Sequence, residues 1–153
     1  MTEAEYQRLN FHPDFKPDLS PKEMLALGIF GGAYFDGVSI AEYPKDWFEG
    51  VAVSDHGKDK KLNYFLVDAS QSREEWIRKG WIGEHDPLGW FEWYCRYYLG
   101  RRIPGEDERQ IKRWRRMVRH VAQIKYACRA GDATCHTKQR QALLHWGYDS
   151  RGM

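Results

Sequence analysis

Between residues 109 and 123 the sequence sets Arg109, Lys112, Arg113, Arg116, Arg119 and Gln123 at spacings that share one face of a helix. Arginine presents a planar fork of N–H donors that matches phosphate and stacks on flat rings, whereas lysine presents a point charge. A stripe of like charges repels itself unless something anionic faces it. The chemistry implied is the holding of a polyanion, with nucleic acid as the expected partner. Arg101 and Arg102 stand in the turn just before this helix, placed to contact phosphate or to stack. Upstream, the run WFEWYCRYY carries aromatic side chains around every face of a helix, with Arg96 among them. Rings beside guanidinium groups are what unstacked bases lie on, so Trp90, Trp93 and Tyr97 are candidates for a stacking platform. The competing expectation is a helix buried on all sides, with its tyrosine hydroxyls satisfied by backbone.

Other groupings are weaker. His85-Asp86, with His56, has the residue types of a metal-dependent phosphohydrolase, but Asp86 before Pro87 already has work as a helix N-cap. Cys128, Cys135, His136 and the upstream His120 could hold zinc, yet six residues separate the cysteines where paired ligands usually have two to four. A buried thiol at Cys128 and a local disulfide across RAGDAT are the alternatives. Gly28-Ile-Phe-Gly31-Gly32 lacks the Lys-Ser/Thr of a phosphate loop, so its glycines are expected to serve a helix end and tight turns. Asp36, Asp46 and Asp68 lie near aromatics and could act as acid or base if a pocket forms there. No residue is assigned a catalytic role, and no metal or cofactor is expected.

The chain that must position these groups has 153 residues, the size of one ordinary domain. At 30% charged and 42% hydrophobic it should fold, and its 15% aromatic content is high. A net charge of +2 conceals an uneven distribution. Residues 1–95 carry 10 Lys/Arg against 17 Asp/Glu, and residues 96–153 carry 14 against 5. Such a split fits a polyanion-binding face, or an acidic half packed onto a basic one. Three cysteines and no apolar leader segment fit a reducing, cytoplasmic setting. No apolar stretch is long enough to span a bilayer, so no membrane partner is expected.

The punctuation of the sequence divides a single domain, 1–153, into an N-terminal arm (1–19), a helix with an irregular region (20–69) and a helical bundle (70–150). Thr2 with Glu5, Ser20 with Pro21 and Glu23, and Ser72 with Glu75 have capping-box spacing. VAVS and LNYFLV, around DHGKDKK, could pair as a hairpin. Asp86-Pro87 should open the aromatic helix and Gly100 close it. Glu106 or Asp107 should open one long helix ending at Gly131, with Ile111, Trp114, Met117, Val118, Val121, Ile124 and Cys128 as its buried stripe. Thr137 should cap the last helix, closed by Gly147.

The stretches KGWIGEHDPLGWFEWYCRYYLGRR and RQALLHWGYDSR resemble a family of small uncharacterised proteins of fungi and bacteria, over roughly residues 60–151. The resemblance implies one unit containing both helices, and no activity. The sequence thus predicts a mostly α protein: a C-terminal bundle of about four helices with an irregular or weakly β N-terminal part. Its leading function is nucleic-acid binding, with a possible place in DNA or RNA processing. The rivals are a small-molecule protein or enzyme, with a pocket between the aromatic helix and the glycine-rich segment containing Asp68 or Asp86, and a module docking an acidic protein.

Overall fold

The protein is described by a computed structural model covering residues 1–70, 73–81 and 83–153. It is mostly α, with no strand among these residues. The helices are α1 (Glu3–Arg8), α2 (Pro21–Ala26), α3 (Arg73–Arg78), α4 (Trp90–Tyr98), α5 (Pro104–Arg116), α6 (Val118–Ala127) and α7 (Thr137–Leu144).

Local signals fix the first two helices. Thr2 and Ser20 each accept a hydrogen bond from the backbone N–H of the glutamate three residues on, and that glutamate's carboxylate returns to the cap's own N–H. Two orphan donors are satisfied at each helix start. Ser72, the third expected cap, lies outside the described residues. The hairpin does not form. Ser54 N–H donates to the Gly32 carbonyl, and Asn63 bonds both N–H and C=O of Val67 through its carboxamide, curling the segment back on itself. These bonds take the groups a strand ladder would need.

α4 is the centre of the molecule. Trp90, Phe91, Trp93, Tyr94, Cys95 and Tyr97 are all buried, Trp93 completely. The N-terminal arm closes over it. Phe15, with no exposed surface, stands edge-on to Trp90, Tyr94, Tyr97 and Trp114 at ring separations of 5.1–6.2 Å. Edge-to-face packing sets positive ring edges against negative faces and adds about 0.5–1.5 kcal/mol per pair to the burial itself. Three of the polar tips are satisfied as they enter. Tyr94 hydroxyl donates to the Leu19 carbonyl at 2.8 Å, Tyr97 hydroxyl accepts from His12 N–H at 2.8 Å, and Trp93 Nε1–H donates to Asp107 at 2.8 Å. The expected stacking platform is therefore core: Trp90, Trp93 and Tyr97 are 6%, 0% and 2% exposed.

Two helix boundaries differ from expectation. Asp86 does not cap α4. That helix starts after Gly89, whose φ of 104° suits glycine, and the Tyr34 hydroxyl accepts the Glu92 N–H from another part of the chain. The long helix is two helices. α5 starts earlier, at Pro104, with Asp107 accepting the Ile103 N–H from inside the first turns. It breaks at Met117, because the Trp114 carbonyl there receives the buried Tyr148 hydroxyl at 2.8 Å. A side chain inserted into the helical ladder bends it. The break turns Val118 outward, 58% exposed, while Ile124 stays buried. His136, not Thr137, is the α7 N-cap.

Phe15→Ala is expected to destabilise the protein by about 3–5 kcal/mol, the cost of an unfilled aromatic site. Urea unfolding followed by tryptophan fluorescence measures it. A loss below about 1 kcal/mol would show that the arm is not part of the core.

Candidate functional site: an aromatic pocket around Arg113

The predicted phosphate ligands separate into three groups. Arg101 gives two parallel bonds to Asp86, at 2.8 and 2.6 Å, and Arg96 bonds the same carboxylate at 2.8 Å. Asp86 is 1% exposed, so its charge is compensated by this bidentate pairing. Arg102 lies over the Tyr97 ring at 3.6 Å and donates to the carbonyls of Tyr97, Leu9 and Asn10. Arg109 forms a fork with Glu106 at 2.9 and 2.7 Å. These three arginines are committed to the fold rather than free for a polyanion.

Lys112, Arg116 and Arg119 form the second group. They are exposed, and no carboxylate among the described residues pairs with them. From Arg109 to Gly131 the chain has no Asp or Glu. Among the described residues, the acidic N-terminal half forms an ion pair with this run only at Asp14, 3.3 Å from Arg115. The charge split is not cancelled internally here.

Arg113 stands alone. It turns inward into a cavity of about 380 Å³, within the range of small-molecule sites. Phe30 and Tyr34 from the glycine-rich segment and Trp90 and Phe91 from α4 form one wall. Trp76 of α3 and Trp81 stand at another, and His120, His145 and Trp146 complete it. The Arg113 guanidinium carbon lies 5.3 Å from the Trp146 ring centre. One of its terminal nitrogens donates to the Trp81 carbonyl at 3.1 Å and to the Gln110 carboxamide at 2.9 Å. Its other N–H groups have no hydrogen-bond partner among the described residues, and none of their carboxylates forms an ion pair with it, although the charge of Glu106 on the same helix acts on it favourably. Burial, then the neighbouring charge of Arg109, pulls its pKa down to about 10, so it remains a cation at neutral pH. The Trp90 indole N–H is buried with no partner among the described residues.

The two histidines at the pocket carry no charge at neutral pH. Burial pulls His145 down to about 4 and also lowers His120. His145 packs on the Phe30 ring at 5.2 Å, and His120 accepts from the Gln139 carboxamide at 2.8 Å. Arg113 is therefore the cation of an otherwise neutral aromatic chamber.

A pocket between the aromatic helix and the glycine-rich segment was expected, but its charge is opposite to expectation. Asp68 pairs outside it with Lys58 at 2.8 Å, Asp86 is held by two arginines, and Asp46 pairs with Lys22 at 2.8 Å. Asp36 borders a separate, largely apolar cavity of about 250 Å³. Helical periodicity placed Arg113 on the polar face of α5. It could not show that Trp81 and Trp146, about 32 residues on either side, would cover it.

The histidines give a testable pH dependence. The folded pKa of His145 lies below its unfolded value of about 6.5, so between the two the unfolded chain binds the extra proton. Its contribution to stability is whole above about pH 6.5 and is lost as pH falls toward 4. Urea unfolding from neutral pH to about 4.5 should cost the wild type roughly 1–3 kcal/mol more than His145→Gln. Equal losses would contradict a buried neutral His145. No known protein family matches the chain, and no curated protein or solved structure is similar enough to count as a match.

Proposed function

We propose that this protein binds a small anionic ligand with a flat apolar body in the Arg113 pocket. One observation carries the reading: a half-buried guanidinium with spare donors and no ion-pair partner among the described residues faces a chamber walled by tryptophan, tyrosine and phenylalanine. An unpaired buried charge costs free energy. A ligand carboxylate or phosphate offsets that cost, and its ring stacks against the walls. Lys112, Arg116 and Arg119, nearby on α5 and α6, raise the local concentration of anions.

Tryptophan fluorescence titrations with benzoate, an indole carboxylate and the neutral amide of each test it. The carboxylates should bind, and the amides should bind about tenfold or more weakly. Arg113→Met should weaken carboxylate binding by about 1.5–3 kcal/mol, the worth of a hydrogen bond to a charged group. Equal binding of acid and amide, or an unaffected Arg113→Met, contradicts the proposal.

The second reading is nucleic-acid binding through Lys112, Arg116 and Arg119, favoured by the acid-free run 109–131. Affinity for short DNA and RNA should then fall steeply with salt, and Arg116→Gln with Arg119→Gln should reduce the slope on duplex DNA by about 2. No binding at low salt removes this reading and leaves the pocket untouched.

A further inference from the structure

Cys128, Cys135 and His136 form a cluster away from the pocket, where α6 ends and α7 begins. One ligand atom from each lies within 4.8 Å of the others. In the structure the two cysteines are joined as a disulfide, with Cα atoms 5.9 Å apart. Cys128 is the C-cap of α6, and His136 is the N-cap of α7.

Cys135 and the loop before it are also held by hydrogen bonds. The Cys135 carbonyl accepts from Nε of Arg140 at 2.7 Å, and fully buried Arg140 also donates to the Ser150 carbonyl at 2.8 Å. Cys135 N–H donates to the Asp132 carbonyl, and the Asp132 carboxylate accepts from the Thr134 N–H and hydroxyl. None of these bonds involves a sulfur atom.

His136 has features a helix start does not need. Its backbone is left-handed, φ 53°, which non-glycine residues seldom adopt, and its side chain makes no capping bond. Its Nδ1 lies 3.2 Å from Oε1 of Gln139. The amide nitrogen of Gln139 donates to Gln123 and His120, which turns the amide oxygen toward His136. Nδ1 of His136 must then carry the proton, leaving the Nε2 lone pair free. A second residue that fixes a histidine's tautomer in this way is the usual support of a metal-binding imidazole.

We infer that the reduced protein binds one zinc-class divalent ion through the thiolates of Cys128 and Cys135 and the imidazole of His136, leaving a fourth position for water. Two thiolates and an imidazole form a soft donor set that suits zinc, and three protein ligands with an open position are the pattern of reactive zinc sites. The step balances with a phosphine as reductant. Phosphorus gives two electrons to the S–S bond and takes the oxygen of one water, and that water's two protons give two thiols. Metal binding then releases both thiol protons to solvent. His120, on the far side of Gln139, supports the site and is not a ligand. This inference is independent of the Arg113 pocket.

The full-length protein, reduced by a phosphine without oxygen, is titrated with cobalt(II) and then zinc(II). The expected result is one cobalt per chain, with thiolate-to-cobalt charge transfer in the near ultraviolet and displacement by zinc. The oxidised protein should show no such band. Cys135→Ser should abolish it, His136→Ala should weaken binding at least about tenfold, and Gln139→Ala should weaken it about 10–100-fold. His136→Ala keeps the disulfide, so its fold can be checked before reduction. Absence of the band in the reduced chain, an equal signal from the oxidised chain, or full affinity in His136→Ala would each overturn the inference.

Discussion

The edge-to-face contact of Phe15 with the rings of α4 is the constraint on which the rest of the molecule depends. It ties an arm with one short helix of its own to the aromatic-rich α4. α4 then has neighbours on every side: the arm, α2, α5, and the Trp146 ring that follows α7. A helix with aromatics around its whole circumference can only be central in a folded chain. Each burial of a large ring contributes roughly 1.5–3 kcal/mol, and the offset against chain entropy is made mainly here.

That arrangement decides what the cations do. With α4 buried, its flanking arginines must find partners inside the protein, and Arg101 and Arg102 do so through Asp86 and through backbone carbonyls. Arg109 finds Glu106 within its own helix. Arg113 reaches a chamber whose aromatic walls include no carboxylate. Burial that stabilises the fold thus leaves the half-buried Arg113 without an ion-pair partner among the described residues, and a ligand is the simplest partner for it. The neutral state of His120 and His145 keeps the chamber from repelling an apolar ring.

Much of this was legible in the sequence where the cause is local. The caps at Thr2 and Ser20 act over three residues, so spacing alone reveals them. The glycine ends at Gly28 and Gly147 and the helical class were also readable, whereas the burial of α4 was only the competing expectation to a stacking platform of Trp90, Trp93 and Tyr97. What was not legible depends on partners far along the chain. Tyr34 caps α4 from 58 residues away, and Tyr148 breaks the long helix from 34 residues away. Asp86 looked like a cap because proline follows it, but arginines ten and fifteen residues later bind its carboxylate. Of six arginines and a lysine read as one basic surface, periodicity could not tell which would be paired, exposed or turned inward. The disulfide shows the same limit: six intervening residues argued against a metal and left the pairing open, and only the turn from α6 into α7 brings both sulfurs beside His136.

The central claim is that Arg113 is the unpaired anchor of an aromatic pocket. Heteronuclear NMR of the arginine Nε–H groups during titration with an indole carboxylate tests it at that residue. The account predicts a saturable shift of the Arg113 resonance, with Arg101 and Arg102 unchanged and Arg116 and Arg119 moving little. Small unsaturating shifts shared by every exposed arginine, or a silent Arg113, would contradict it.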